Sequence, residues 1–88
     1  MDIIWDEEKE KWLREHRRIS IQEIADKIAQ GDYVAEIENP QRKGHTAFLC
    51  LYFDYVHVAP TIEDKDGNII IKTVYPSRKY HKVYGGTK

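Results

Sequence analysis

Apolar positions in the first third of the chain recur with the period of an amphipathic helix, and from Tyr33 onward they follow the period of two expected of strands. Asp2 to Trp5 reads as a short strand. Asp6 then stands as an N-cap, with Glu7 and Glu8 in a first helical turn where carboxylates interact favourably with the helix dipole. The spacing predicts a first helix running to about His16. Glu7 with Lys11 and Glu10 with Arg14 form i,i+4 pairs on its wet side, while Trp12, Leu13 and His16 form a narrow stripe toward the core. Arg17 and Arg18 make the bend. The second helix opens with a capping box, Ser20 and Glu23, flanked by Ile19 and Ile24 as a hydrophobic staple. Ile21, Ile24, Ala25, Ile28 and Ala29 keep the helical period, and Gly31 stands where a left-handed C-terminal cap is wanted.

Candidate strands follow at Tyr33 to Ile37, Thr46 to Tyr52, Tyr55 to Ile62 and Ile69 to Tyr75. Asn39 to Gly44 reads as a loop, Phe53-Asp54 as a tight turn, and Asp64 to Asn68 as a turn around Asp66-Gly67. Pro60 inside a strand argues for an edge or a bulge. After Pro76, Ser77 caps a short basic helix from Arg78 to about Tyr84, stopped by Gly85-Gly86. The expected product is an α+β domain with two N-terminal helices on one face of a twisted, mainly antiparallel sheet. If Leu49, Leu51, Val56 and Val58 face the helices, Tyr52, Tyr55 and His57 point to the open face, and Lys72 joins them.

A length of 88 residues predicts a single domain, because a second core needs a chain roughly twice as long. The lone Cys50 sits among apolar neighbours, which suggests a buried thiol in a reducing compartment and a cytoplasmic protein. The apolar run Ala47 to Phe53 is far short of the roughly 20 residues of a membrane helix, and the acidic N-terminal stretch does not resemble a signal peptide. A net charge of -1 argues against a generally basic surface. The sum hides a segregation, however. Residues 1–38 hold eleven acids and six bases, residues 39–71 four and three, and residues 72–88 no acid and five bases. With screening beyond roughly 8 Å at physiological salt, such a split can sustain a local positive field.

Several chemical motifs fail on spacing. Gly85-Gly86-Thr87-Lys88 lacks the strand and helix of a phosphate-binding loop, and Asp64 to Asn68 places glycine too early for a calcium loop. His16, His45, His57 and His81 share no i,i+4 pair and have no cysteine companions, so no metal is expected. The richest stretch is Lys72 to Tyr84, with four cations, three tyrosines and a histidine in thirteen positions and no acid. Aromatic rings stack on unpaired bases and cations meet phosphates, the pairing that single-stranded RNA recognition uses. Cleavage through the RNA 2′-hydroxyl needs charge stabilisation at phosphorus, proton transfer and a splayed base, which Arg, His or Tyr, and aromatic rings supply without a cofactor.

The order and spacing of three segments resemble the BrnT family. These are Ile4-Trp5-Asp6-Glu7-Glu8-Lys9, Ile19-Ser20-Ile21-Gln22-Glu23-Ile24, and Ile71-Lys72-Thr73-Val74-Tyr75-Pro76-Ser77-Arg78-Lys79. That family consists of ribonuclease toxins of bacterial type II toxin-antitoxin systems, related in fold to the RelE and ParE toxins. The resemblance implies a metal-independent ribonuclease that arrests translation and is neutralised by a cognate antitoxin, for which a ribbon-helix-helix protein would be a natural form. By position, Lys72 matches the basic residue of the family's last strand, and Arg78-Lys79 its Arg-Lys pair.

On this reading Arg78 stabilises the phosphorane-like charge, Lys72 holds the scissile phosphate, and His57 transfers the proton, with His81 as its competitor. Lys79, Lys82, Arg42 and Lys43 contact backbone phosphates, and Tyr55 or Tyr80 stacks on a base. The rival reading is a non-catalytic protein-binding module of the same fold, acting only within a regulatory complex.

Overall fold

The N-cap residues act as their positions require. The Asp6 carboxylate accepts the Glu8 and Lys9 N–H groups (2.8 and 3.4 Å), starting α1 (Glu7–Arg17), and the Ser20 hydroxyl accepts the Glu23 N–H (3.2 Å), starting α2 (Ile21–Ala29). Helix α2 ends in a Schellman arrangement: Gly31 lies at φ 76°, and the Gly31 and Asp32 N–H groups reach the Ile28 and Lys27 carbonyls. Helix α1 also ends in left-handed backbone, but with a different bond pattern and at a residue less suited to it than glycine. Arg18 takes the left-handed backbone (φ 58°), and the Ile19 N–H returns to the Leu13 carbonyl.

The computed structural model describes residues 2–39, 42 and 45–85, and its architecture is α+β. Strand β1 (Ile3–Trp5) precedes the helices. After them come β2 (Ala35–Glu38), β3 (Thr46–Tyr52), β4 (Tyr55–Glu63), β5 (Ile69–Ile71) and β6 (Tyr75–Pro76). The chain then turns through α3 (Arg78–Tyr80) into a π-helical turn, His81–Gly85. The sheet is mixed, in the order β1-β5-β4-β3-β2, with β1 parallel to β5 and β6 lying beside β4. No helix among the described residues is long and apolar enough to cross a membrane.

Pro60 lies within the central strand, not at an edge. Its carbonyl accepts the Lys72 N–H (2.8 Å), so its missing donor faces the same neighbour. That neighbour is interrupted there: β5 pairs with Thr61 to Glu63, β6 pairs with His57 and Val58, and Lys72 to Val74 bow out between them. The single strand expected from Ile69 to Tyr75 is therefore two short ones.

The expected facing of β3 and β4 is reversed. Phe48, Cys50, Tyr52 and Ala59 pack with Leu13, Ile19, Ile21, Ile24, Ala25 and Ile28 of the helical layer. Ala47, Leu49, Val56 and Val58 lie on the opposite face, under Tyr75 and Tyr80. Every residue from Ala47 to Tyr52 is apolar, so alternation alone does not distinguish the faces. The two aromatic rings fill the helical side, and the C-terminal segment covers the smaller side chains.

The wet and dry faces of α1 also differ from expectation. Leu13 is buried, but Trp12 is 44% exposed and stacks on His16 (ring centroids 4.7 Å), with the Arg17 guanidinium 5.2 Å above it. Glu10, expected in water, is buried. Its carboxylate accepts the Gln22 N–H at the start of α2 (3.3 Å) and pairs with Arg14 (3.7 Å), so it serves an orphan donor of the neighbouring helix. Ser20→Ala should lower stability by about 1 kcal/mol through loss of the α2 cap, read from urea unfolding; an unchanged midpoint would show the cap to be energetically idle.

Candidate functional site

The β3–β4 hairpin closes with a two-residue turn whose backbone is left-handed at both positions, Phe53 (φ 52°) and Asp54 (φ 64°). This fixes Tyr52 opposite Tyr55, Val56 opposite Leu51 and His57 opposite Cys50. His57 consequently faces the helical layer, with its ring edge-on to Tyr52 (5.2 Å) and to Tyr55 (6.2 Å), and it is only 8% exposed. It still borders solvent through a pocket of about 480 Å³. Arg17, Arg18, Ile19, Tyr52, Phe53, Tyr55 and Pro76 complete its lining.

His81 reaches the same hairpin from the C-terminal segment. Ser77 caps α3 by accepting the Tyr80 N–H (3.2 Å), and its own N–H donates to the Val56 carbonyl (3.0 Å), which ties the segment to β4. The following π turn lays the His81 ring flat on Tyr55, with centroids 4.1 Å apart and planes inclined by 15°. Gly85 makes this seating possible. A Cβ there would lie 2.6 Å from His81 Nδ1 and 2.7 Å from Val56 Cγ2.

Strand β4 sets the proton positions of both imidazoles. His57 Nδ1 lies 2.9 Å from the Tyr55 carbonyl, which only accepts, so Nδ1 carries the proton and Nε2 keeps a lone pair. Val56 N–H donates to His81 Nδ1 (3.2 Å), so the neutral His81 ring carries its proton on Nε2. One ring offers an acceptor and the other a donor, with Tyr55 between them. Burial lowers the His57 pKa from its ordinary 6.5, against a smaller opposing effect of the Tyr55 carbonyl, so His57 is neutral at pH 7.

The other sequence-predicted residues divide between places. Arg78, Lys79 and Lys82 are exposed on α3 and the π turn; Arg78 follows Pro76, a wall of the pocket, by two positions. Tyr80 packs against the Val56 and Val58 cluster and carries the Lys79 ammonium 5.4 Å above its ring. Beside it, burial raises the Tyr75 pKa, with Tyr80 adding to the shift. Lys72 and Arg42 meet in a separate cleft of about 430 Å³, which His45, Thr61, Thr73 and Tyr75 also line. Lys72 bonds at Pro60, three residues along β4 from His57, a span of roughly 10 Å. Lys43 lies outside the described residues. Arg17, Arg18, Phe53 and His45 were not singled out as site residues by sequence reasoning. Their signal was a phenylalanine in a turn that favours Asn-Gly and an arginine pair at a helix end.

Among the described residues no group of three His, Cys, Asp or Glu side chains is placed to hold a metal ion. Cys50 is buried beneath the helices, and burial pushes its thiol up to about 11, with Lys27 opposing and Asp32 adding to the shift, so it is no nucleophile at neutral pH. In comparisons with family models, curated proteins and solved structures, the chain matches none.

The lowered His57 pKa has a consequence for stability. Between its folded value and 6.5 the unfolded chain binds the additional proton, so stability rises with pH in that window and is lost on acidification through it. The Tm measured from pH 5 to 8 should climb toward pH 6.5, and His57→Gln should remove this residue's part of the rise; an identical profile in the variant would contradict the assignment.

Proposed function

We propose that the protein is a metal-independent endoribonuclease of the toxin type, RelE/ParE-like in arrangement, held inactive by a cognate antitoxin. The observation that carries this reading is the pair of imidazoles with opposite proton availability at the edge of an arginine-flanked aromatic pocket. His57 Nε2 takes the proton of a 2′-hydroxyl as that oxygen attacks the adjacent phosphorus. His81 Nε2–H donates to a phosphoryl oxygen as charge develops there, and Arg78 adds its guanidinium. A neutral imidazole suits that donor role because it stabilises charge without giving up its proton. The bond from the 2′-oxygen to phosphorus forms, the bond from phosphorus to the 5′-oxygen breaks, and the departing oxygen takes a proton from solvent. The products are a 2′,3′-cyclic phosphate and a 5′-hydroxyl.

The placement of Lys72 moves it from the scissile phosphate to a flanking one, which it contacts together with Arg42. Lys79 and Lys82 serve neighbouring phosphates from the C-terminal segment, and Tyr55 is the stacking surface between the two histidines. Leu51, paired with Val56 across the hairpin, and Val83 and Tyr84 of the π turn are exposed apolar side chains. An antitoxin docked on them would cover the basic segment as well. The same patch would serve the rival reading, a binding module without catalysis.

Purified protein freed of any partner should cleave single-stranded RNA in EDTA. His57→Gln and Arg78→Ala should each slow cleavage by about 100-fold or more. The rate should hold through pH 6.5 and fall only on further acidification, through the lowered pKa of His57. Absence of cleavage by the wild type would favour the non-catalytic module, and undiminished cleavage by Arg78→Ala would overturn the catalytic assignment.

A further inference from the structure

We infer that the α1–α2 corner and the tip of the β3–β4 hairpin form a nucleotide subsite for single-stranded RNA, in which Phe53 stacks on a base and Arg17 and Arg18 hold the adjoining phosphate. The inference rests on the proposed function for the class of its ligand, and on geometry for its location.

Among the described residues, the only non-glycine residues with positive φ are Arg18, Phe53 and Asp54. They come from two distant parts of the sequence and meet at one end of the sheet, where Arg18 and Phe53 line the same 480 Å³ pocket. Glycine or asparagine enters this backbone region more easily than either residue. Strain of this kind gathers where a site dictates side-chain identity. The meeting is held by a defined bond: Tyr52 Oη accepts the Ser20 N–H at 3.0 Å, which pins the helical corner to the hairpin.

Phe53 is 80% exposed, and Tyr52 supports its ring from one edge (4.6 Å, planes at 62°), which leaves a face open at the pocket rim. Arginine, aromatic and histidine side chains dominate the lining, Ile19 and Pro76 complete it, and no acid contributes. A pocket of this size, with an aromatic wall and two arginines among its lining residues, suits a base and its phosphate. An acid-free lining also disfavours a basic peptide.

The test is fluorescence anisotropy with a 5′-fluorescein-labelled 2′-O-methyl hexanucleotide of mixed sequence, which binds without being cut through its 2′-oxygens. Phe53→Asn and Arg18→Gly place residues suited to left-handed backbone and should leave Tm at or above that of the wild type. Phe53→Asn should weaken binding about tenfold. Arg18→Gly should also weaken it and reduce the salt slope by about one ion. Phe53→Trp should retain binding. No binding by the wild type, or wild-type affinity in both Phe53→Asn and Arg18→Gly, would overturn the subsite. Probe binding that depends on Phe53 in a protein that leaves ordinary RNA intact would uphold the subsite and refute the ribonuclease reading. Cleavage of RNA with Phe53-independent binding would do the reverse.

Discussion

The left-handed backbone of Phe53 and Asp54 fixes how β3 meets β4, and the placement of both histidines depends on that register. A slip of one residue would exchange the two faces of β4. His57 would leave the helical layer for the C-terminal side, and the Val56 N–H and Tyr55 carbonyl would no longer meet the two rings as they do. The same register buries β3 and β4 on both faces, so the hairpin is at once the centre of the core and the floor of the pocket. A strand covered on both sides has little freedom to re-pack, and the hydrogen bonds it offers to His57 and His81 are correspondingly fixed.

The site draws on three separated stretches of sequence. The helical corner contributes Arg17 and Arg18, the hairpin contributes Phe53, Tyr55 and His57, and the C-terminal segment contributes His81 and Arg78. Backbone groups of β4 hold the last to the second: the Val56 carbonyl takes Ser77, and the Val56 N–H takes His81. The Tyr52 hydroxyl holds the first to the second. A non-glycine residue in left-handed backbone costs on the order of 1–2 kcal/mol, a noticeable share of the roughly 5–15 kcal/mol that stabilises a small domain. Arg18 and Phe53 carry that cost at this one end, and Asp54 a smaller one.

Much of the fold was legible because local rules decide it. The caps at Asp6 and Ser20 and the glycine stop at Gly31 each follow from side-chain chemistry within a few residues, and the two-residue turn at Phe53-Asp54 from the spacing between the apolar runs on either side of it. What was not legible depended on distant partners. Glu10 reads as a wet-face residue until α2 brings the Gln22 N–H to it. The facing of β3 cannot be read from a run that is apolar at every position, because the deciding contacts come from α2 on one side and from Tyr75 and Tyr80 on the other. The site was half visible for the same reason. His57, His81 and Tyr55 carry their chemistry in their residue types, whereas Arg17 and Phe53 become pocket walls only once Tyr52 ties the corner to the hairpin.

Strand β4 locks the two imidazoles with opposite nitrogens protonated. Long-range ¹H–¹⁵N correlation spectra of the imidazole rings at pH 7.5 test it most directly, because protonated and unprotonated ring nitrogens have distinct ¹⁵N shifts. His57 should appear in the Nδ1–H form and His81 in the Nε2–H form. The same tautomer in both rings, or free exchange between tautomers in either, would contradict it.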